Sequence, residues 1–435
     1  MKRIDTYGKT PLLRVCLYCA FSLFIVSFQA HAATNTTLTL AEAIKKTLNQ
    51  NPSLNVFPLR EQGLQAERET AQLSPAYRVG AELENVAGTG QLSGTQSAEL
   101  TVSLSSVLEL GGKKQARVSV VDQKLALSRI KQQIASLDLL STVTKNYIQL
   151  LIDKQRIQLA EEEVSLAQAT ADEVNKRVRT AIAPKADYAR AVAAVEQARL
   201  NVRRVEQRMH AHKMALANLW GQMQPDFNQV SGSLFDYGSS RSFESLFELV
   251  KNNPSLEFFA AETRLKESEI RLAKTQQQAD IDWSVGLRRS ADMDESALVA
   301  GFSMPLFAEK RAESAVKSAL AARNEITYHQ QDFLLRIHSQ LYQAYTAREQ
   351  AINAATTLQQ SIIPQLTDAL TQTKTAYQRG LYSYLDFLTA RQELLNAKRA
   401  LIETSADALL LTAEIEQLTA EPLLIGQNFE GRNHE

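Results

Sequence analysis

From Lys113 to Arg179 the sequence contains neither proline nor glycine. As a single α-helix rising 1.5 Å per residue, that stretch would be about 100 Å long. A small domain is about 30 Å across, so no ordinary globular core encloses such an element. The chain also repeats itself. Asn51-Pro52-Ser53-Leu54 returns as Asn253-Pro254-Ser255-Leu256, Ser105-Ser106-Val107-Leu108 is matched by Ser303-Met304-Pro305-Leu306, and Pro184-Lys185-Ala186-Asp187 lines up with Ser383-Tyr384-Leu385-Asp386. All three matches lie about 200 residues apart, far beyond the units of solenoid proteins. Each copy reads in one order: a short helix, a medium helix, two strands, a very long helix and a second long helix. Two strands cannot close a sheet, so function must come from assembly.

The boundaries that follow are a signal peptide over 1–32, a first repeat over 33–231, a second over 232–421 and a tail over 422–435. Lys2, Arg3, Lys9 and Arg14 precede an apolar run from Val15 to Phe28, and Ala30-His31-Ala32 supplies a small-residue cleavage site. Both cysteines, Cys16 and Cys19, fall in that segment, so no disulfide or thiolate metal site is expected after export. Lys plus Arg and Asp plus Glu are equal at 48 each, which gives no field for nucleic acid. No later apolar stretch reaches the roughly 18 residues of a membrane helix, so a membrane role would fall to strands.

Two hairpins have the required alternation. Tyr77, Val79, Ala81 and Leu83 oppose Arg78, Gly80, Glu82 and Glu84, and Leu100, Val102 and Leu104 oppose Glu99, Thr101 and Ser103. The second copy repeats this with Ile281, Trp283, Val285 and Leu287, then Leu298, Ala300, Phe302 and Met304. Strands are predicted at about 77–87, 97–107, 281–290 and 297–306. Four strands leave two open edges, which lipid does not tolerate, so copies must pool them. Three chains would give 12 strands, although two or four remain open on this argument alone.

Long helices are predicted over 113–180, 184–220, 309–379 (broken only by Pro364) and 383–420. Leu388, Leu395, Ile402 and Leu409 recur at strict sevens, the spacing of coiled-coil seams. Each medium helix and second long helix together approach the length of the long one and are expected to stack end to end beside it. Helices from several chains can then close into a tube. The fold class is mainly α with a small β part.

No constellation for catalysis is present, and no cofactor is implied. Gly111-Gly112-Lys113-Lys114 lacks the remaining residues of a phosphate loop and reads as a turn opening the long helix. His210, His212 and Met214 read as solvated helix side chains.

In this order, the residues resemble the TolC family of outer-membrane efflux channels over essentially the whole exported chain. Phe302-Ser303-Met304-Pro305-Leu306-Phe307 is similar to the family's end-of-strand Pro-Leu-Phe. Ala376-Tyr377-Gln378-Arg379-Gly380 followed by Asp386-Phe387-Leu388-Thr389-Ala390 is similar to its turn motif. Leu108-Glu109-Leu110-Gly111-Gly112-Lys113-Lys114 and Ile363-Pro364-Gln365 resemble the branch paired with cobalt-zinc-cadmium and copper-silver pumps.

The resemblance implies a homotrimer with a 12-stranded barrel in outer-membrane lipid and a helical tunnel across the periplasm. Its partners would be a periplasmic adaptor and an inner-membrane RND-type pump, with heavy-metal cations as cargo. By position, Asp386 and Tyr377 match gate residues, and Asp187 matches an acidic gate partner. Thr389 stands where the family has a second Asp, and Tyr382 where it has an Arg, so another latch is expected, through Lys185 or Arg379. Thr180, Ala181, Pro184, Lys185, Arg379, Gly380 and Ser383 would form the adaptor-docking tips. Ala181 replaces a turn glycine and Val178 a tyrosine, so the two tips should differ in shape. Three Asp386 carboxylates on one axis would repel, raise one another's pKa and favour cations; an exposed Asp capping the last helix is the alternative. A type I secretion or multidrug outlet shares this fold. A periplasmic coiled-coil scaffold would leave the strands without a purpose.

Overall fold

The computed structural model describes residues 37–424. The signal segment, both cysteines and the tail beyond residue 424 lie outside the described residues. Strand β1 (Thr37–Leu38) leads into α1 (Leu40–Gln50) and α2 (Val56–Gln72), then strands β2 (Arg78–Glu84) and β3 (Glu99–Leu108). The long helix α3 (Lys113–Arg179) and α4 (Lys185–Asn218) complete the first copy. After β4 (Gln229–Val230), the order recurs as α5 (Phe243–Leu249), α6 (Pro254–Thr275), β5 (Ile281–Ser290), β6 (Glu295–Ser303), α7 (Ala308–Thr357), α8 (Ile363–Gln378) and α9 (Tyr384–Thr419).

Local chemistry explains the boundaries. Thr39 opens α1 with a capping box, its Oγ1 accepting from Glu42 N while Glu42 Oε2 accepts from Thr39 N. The repeated Asn-Pro-Ser-Leu does one job twice. Asn51 Oδ1 accepts from Ser53 N at 2.8 Å and its Nδ2 donates to Leu219 O at 2.7 Å. Asn253 Oδ1 accepts from Ser255 N at 2.8 Å and its Nδ2 donates to Leu418 O at 2.9 Å. Each buried amide therefore joins the entrance of a medium helix to the end of a second long helix. That is the end-to-end stacking expected of them.

Ion pairs record the same arrangement along α3. Glu61 pairs with Arg129 at 2.7 Å and Arg68 with Asp122 at 2.6 Å, so α2 runs antiparallel along the first half. Asp153, wholly buried, pairs with Arg208 of α4 at 3.0 Å on the second half. The core is a string of apolar clusters rather than one centre. One joins Val120, Leu127 and Ile130 to Ala261 and Leu265, and another joins Val143, Tyr147 and Leu151 to Leu216, Trp220, Leu395, Ile402 and Leu409.

The strands form one antiparallel sheet in the order β2-β3-β5-β6, and the β3–β5 pair joins the two copies. Its outer strands, β2 and β6, have no further partner among the described residues. One face carries Val79, Leu104, Leu287, Leu298 and Phe302, all exposed, with Phe302 at 85%. The opposite face holds Arg288 between Glu84 at 2.9 Å and Glu99 at 3.0 Å.

Several details depart from the sequence reading. Strand β2 ends at Glu84, short of residue 87, because the link to β3 carries a 3-10 turn at Gly90–Leu92 and left-handed Asn85 and Ala87. The helix expected over 309–379 contains a π turn at Leu358–Ile362, directly before Pro364. Proline lacks an N–H and its ring crowds the carbonyl four residues back, so one extra residue is accommodated there. His212 is not merely solvated, because its Nδ1 lies 2.5 Å from Asp153 Oδ2. The two-residue parallel pair of β1 with β4 was not expected.

The turn from β3 into α3 uses Gly111 and Gly112 in succession at φ 75° and 72°. A Cβ on Gly111 would fall 2.6 Å from Gln278 Oε1. Next to them Lys113 is 5% exposed, with its Nζ 2.7 Å from Asp280 Oδ2. Removing the carboxylate leaves a buried ammonium unpaired. Asp280→Ala is expected to destabilise the protein by about 3 kcal/mol, read as a lower thermal midpoint, whereas Lys113→Met, which leaves only the more exposed carboxylate, is expected to cost much less.

Candidate functional site

The end of the helices far from the sheet consists of two helix-turn-helix tips, α3 to α4 and α8 to α9, closed by matching backbone bonds. In the first, Ala181 N donates to Val178 O at 3.0 Å and Ile182 N to Arg177 O at 2.9 Å. In the second, Gly380 N donates to Tyr377 O and Leu381 N to Ala376 O, each at 2.9 Å. Both are Schellman closures, which need a left-handed residue after the helix. Gly380 meets that need at φ 82°, while Ala181 adopts φ 60° against its Cβ. The tips share this closure but differ beyond it. In the first, Ala183 N also donates to Arg177 O at 3.3 Å, and α4 opens with Asp187 N on Pro184 O where α9 opens with Phe387 N on Ser383 O.

Tyr377 is the centre of their contact. Its ring is 2% exposed and stacks on Phe387 with centroids 5.5 Å apart. The Arg177 guanidinium lies 4.3 Å from the ring centroid, and Arg177 Nη1 also donates to the Tyr377 carbonyl. Arg177 belongs to the first hairpin and Tyr377 to the second, so this is a latch between them. Ala167, Ala171, Val174, Ala191 and Val195 complete the apolar cluster under it. The Tyr377 hydroxyl is buried without a hydrogen-bond partner among the described residues. Burial, opposed by Arg177 and reinforced by Asp187, pushes its pKa up.

Within one chain, neither Lys185 nor Arg379 supplies the contact between the hairpins. Lys185 and Arg379 are exposed and make no side-chain bond among the described residues. The cation comes instead from Arg177, beside the Val178 that replaces a tyrosine. Asp187 lies 3.7 Å from Arg190 on its own helix and makes no bond across to the second hairpin among the described residues. Tyr382 is half exposed and Thr389 exposed, so neither joins the buried contact.

Asp386 is exposed at the start of α9. Its Oδ2 accepts from the Ser383 amide at 2.9 Å and from the Ser383 hydroxyl at 2.6 Å. Those bonds hold its pKa below the usual carboxylate value within one chain. The capping role is therefore visible in one chain, and a raised pKa would need neighbouring copies. Ile182, Leu381 and Leu385 project at the outermost turns and are 65%, 73% and 70% exposed. Among the described residues there is no group of three or more His, Cys, Asp or Glu able to hold a metal ion.

A sheet with an apolar outer face, joined to paired helical hairpins about 100 Å long, defines a channel-forming class. The family model described as outer membrane efflux protein matches residues 43–222 and 246–421, and the chain belongs to that family. The cobalt-zinc-cadmium resistance protein CzcC of Cupriavidus metallidurans is 24% identical over 302 residues, 68% of this chain and 71% of the relative. Among solved structures, the outer membrane protein VceC of Vibrio cholerae matches with a TM-score of 0.70 at 19% identity, covering 88% of this chain and 96% of its own. CusC matches with a TM-score of 0.71 at 15% identity, covering 88% and 92%. The protein is an outer-membrane efflux channel, and its helical part extends into the periplasm.

Tyr377→Phe keeps both ring contacts and removes a hydroxyl that has no partner. It is expected to be neutral or slightly stabilising in thermal melts. A double-mutant cycle between Arg177→Gln and Tyr377→Leu is expected to return about 1 kcal/mol of coupling from the cation–ring contact. The Asp386 cap follows pH with a definite sign. Because its folded pKa is depressed, its contribution is complete above the unfolded value of about 3.9 and is lost as pH falls through the folded one. Amide exchange at Ser383 is expected to accelerate over that acid window, and Asp386→Asn is expected to flatten the dependence.

Proposed function

We propose that three copies close head to tail into a passive duct that carries heavy-metal cations out of the periplasm and across the outer membrane. The observation that carries this reading is the pair of open sheet edges bordering an exposed apolar face. Alternation of direction lets β6 of one copy pair antiparallel with β2 of the next. Three copies would supply 12 strands, between the filled barrel of about 8 and the aqueous porin of about 16.

The helices support the same closure. Within one chain α6 packs against both α3 and α7, while α2 packs on α3. Its outer flank leaves Leu59 and Leu73 exposed at 68% and 66%. On the opposite flank, α7 exposes Tyr328, Leu335 and Tyr342 at 72%, 74% and 54%, seven residues apart. Seven-residue rows on opposite flanks suit a heterologous seam between copies, one that closes into a ring.

The cargo reading rests on the resistance protein CzcC, a relative of this chain, together with the Gly111-Gly112-Lys113-Lys114 and Ile363-Pro364-Gln365 signatures. Energy comes from an inner-membrane RND-type pump, through an adaptor that covers the apolar tips at Ile182, Leu381 and Leu385. The adaptor also meets the backbone of Thr180, Ala181, Pro184, Lys185, Arg379, Gly380 and Ser383. In the closed ring Arg177 and Tyr377 hold the two hairpins together. Asp386, Thr389, Tyr382 and Asp187 line the approach to the axis.

Introducing charge into the seam tests the assembly. Leu335→Asp is expected to convert a trimer into monomers by light scattering in detergent and to abolish cobalt, zinc and cadmium resistance in a strain that depends on this gene. An intact trimer with full resistance would refute the seam. Resistance unaltered by deletion of the whole gene would refute the cargo.

A further inference from the structure

Above the tips, between α3, α4 and α9, lies a groove of about 590 Å³. It continues through Glu163, Asn201, Arg204 and Arg399 into a recess of about 220 Å³. Buried Ala167 and Ala198 belong to its lining, so little side-chain bulk fills it.

Its charge is unbalanced. Arg399 is paired with Glu163 at 3.2 Å, and Arg208 with buried Asp153 at 3.0 Å. Three other guanidiniums have no carboxylate partner among the described residues. Arg204 donates only to the neutral Asn201 side chain, at 2.7 Å. Arg391 donates only to Thr170 Oγ1, at 3.4 Å, and its Nε is buried without an acceptor. Arg156 makes no side-chain bond among the described residues. Glu403 is the one remaining unpaired carboxylate lining this space, and it is exposed.

Burial pushes the Arg391 guanidinium's pKa down, and the nearby Tyr384 and Glu163, neither of them bonded to it, only partly offset this. An occupant that accepts several forked hydrogen bonds and carries more than one negative charge removes this imbalance. We propose that the groove binds a small multivalent oxyanion of the phosphate or dicarboxylate class, held by Arg391 and Arg204, with Arg156 in the recess that continues from it. The exported cation is not the occupant, since three unpaired guanidiniums repel it. An anion held by Arg204 of the first hairpin and Arg391 of the second ties together the same two hairpins that Arg177 joins at the tip.

Equilibrium dialysis of radiolabelled inorganic phosphate against the full assembled protein in detergent, at fixed ionic strength, tests the proposal. Wild type is expected to bind phosphate saturably, with chloride failing to compete at equal concentration. Arg391→Gln and, independently, the exposed Arg204→Gln are each expected to weaken binding at least tenfold. Arg264→Gln, on the surface of α6, is expected to bind as wild type does. Because Arg204 is exposed, its replacement reads out even where Arg391→Gln disturbs folding. Absence of saturable binding to wild type would overturn the proposal, and the guanidiniums would then face solvent or a carboxylate of another chain. Equal affinity in wild type and Arg204→Gln would overturn it as well.

Discussion

Backbone hydrogen bonding at the margins of one sheet constrains everything else in this molecule. Strands β2 and β6 each present a row of amides and carbonyls with no partner among the described residues, beside a face bearing Val79, Leu298 and Phe302. In water that face is a large apolar patch, and in lipid those edges lack the water that would satisfy them. Neither solvent suits a single chain. Closure against further copies would remove both costs at once, and a tunnel would follow because each added sheet brings its helical hairpins with it.

The duplication makes closure geometrically simple. Asn51 and Asn253 perform the same junction in each copy, stacking a medium helix on the end of a second long helix. The copies then diverge where the chain turns. Gly111 and Gly112 turn the first copy into its long helix, whereas Phe307 holds a left-handed conformation at φ 60° in the second. Gly380 and Ala181 differ likewise at the tips. Near-equivalent halves give each chain a pair of similar flanks, which suits a quasi-sixfold wall built from three chains. The halves differ at these two ends and also midway, where the π turn at Leu358–Ile362 interrupts the long helix of the second copy but not that of the first.

The sequence carried most of the architecture in signals of fixed period. Alternation over Ile281–Leu287 separates the two faces of the sheet, and sevenfold spacing from Leu388 to Leu409 marks the face along which α9 packs. Pro364 marked the broken helix because its lost N–H acts locally. What escaped depends on which faces meet after folding. The Arg177–Tyr377 latch joins residues 200 positions apart through a ring, a guanidinium and a carbonyl. Arg177 stood in plain sight beside Val178, yet only the docking of the two hairpins selects it over Lys185 or Arg379. His212 with Asp153 is a contact of the same kind. The β1–β4 pair is two residues long, too short to impose any period.

The central claim is that other copies of the chain seal the sheet's edges. Backbone amide exchange in the assembled outer-membrane protein tests it most directly, comparing outer strands β2 and β6 with inner strands β3 and β5. If the barrel closes, amides of β2 and β6 that face outward from one chain's sheet will be protected as strongly as those between β3 and β5. Exchange at those outer amides as fast as at an unpaired strand edge would contradict the account.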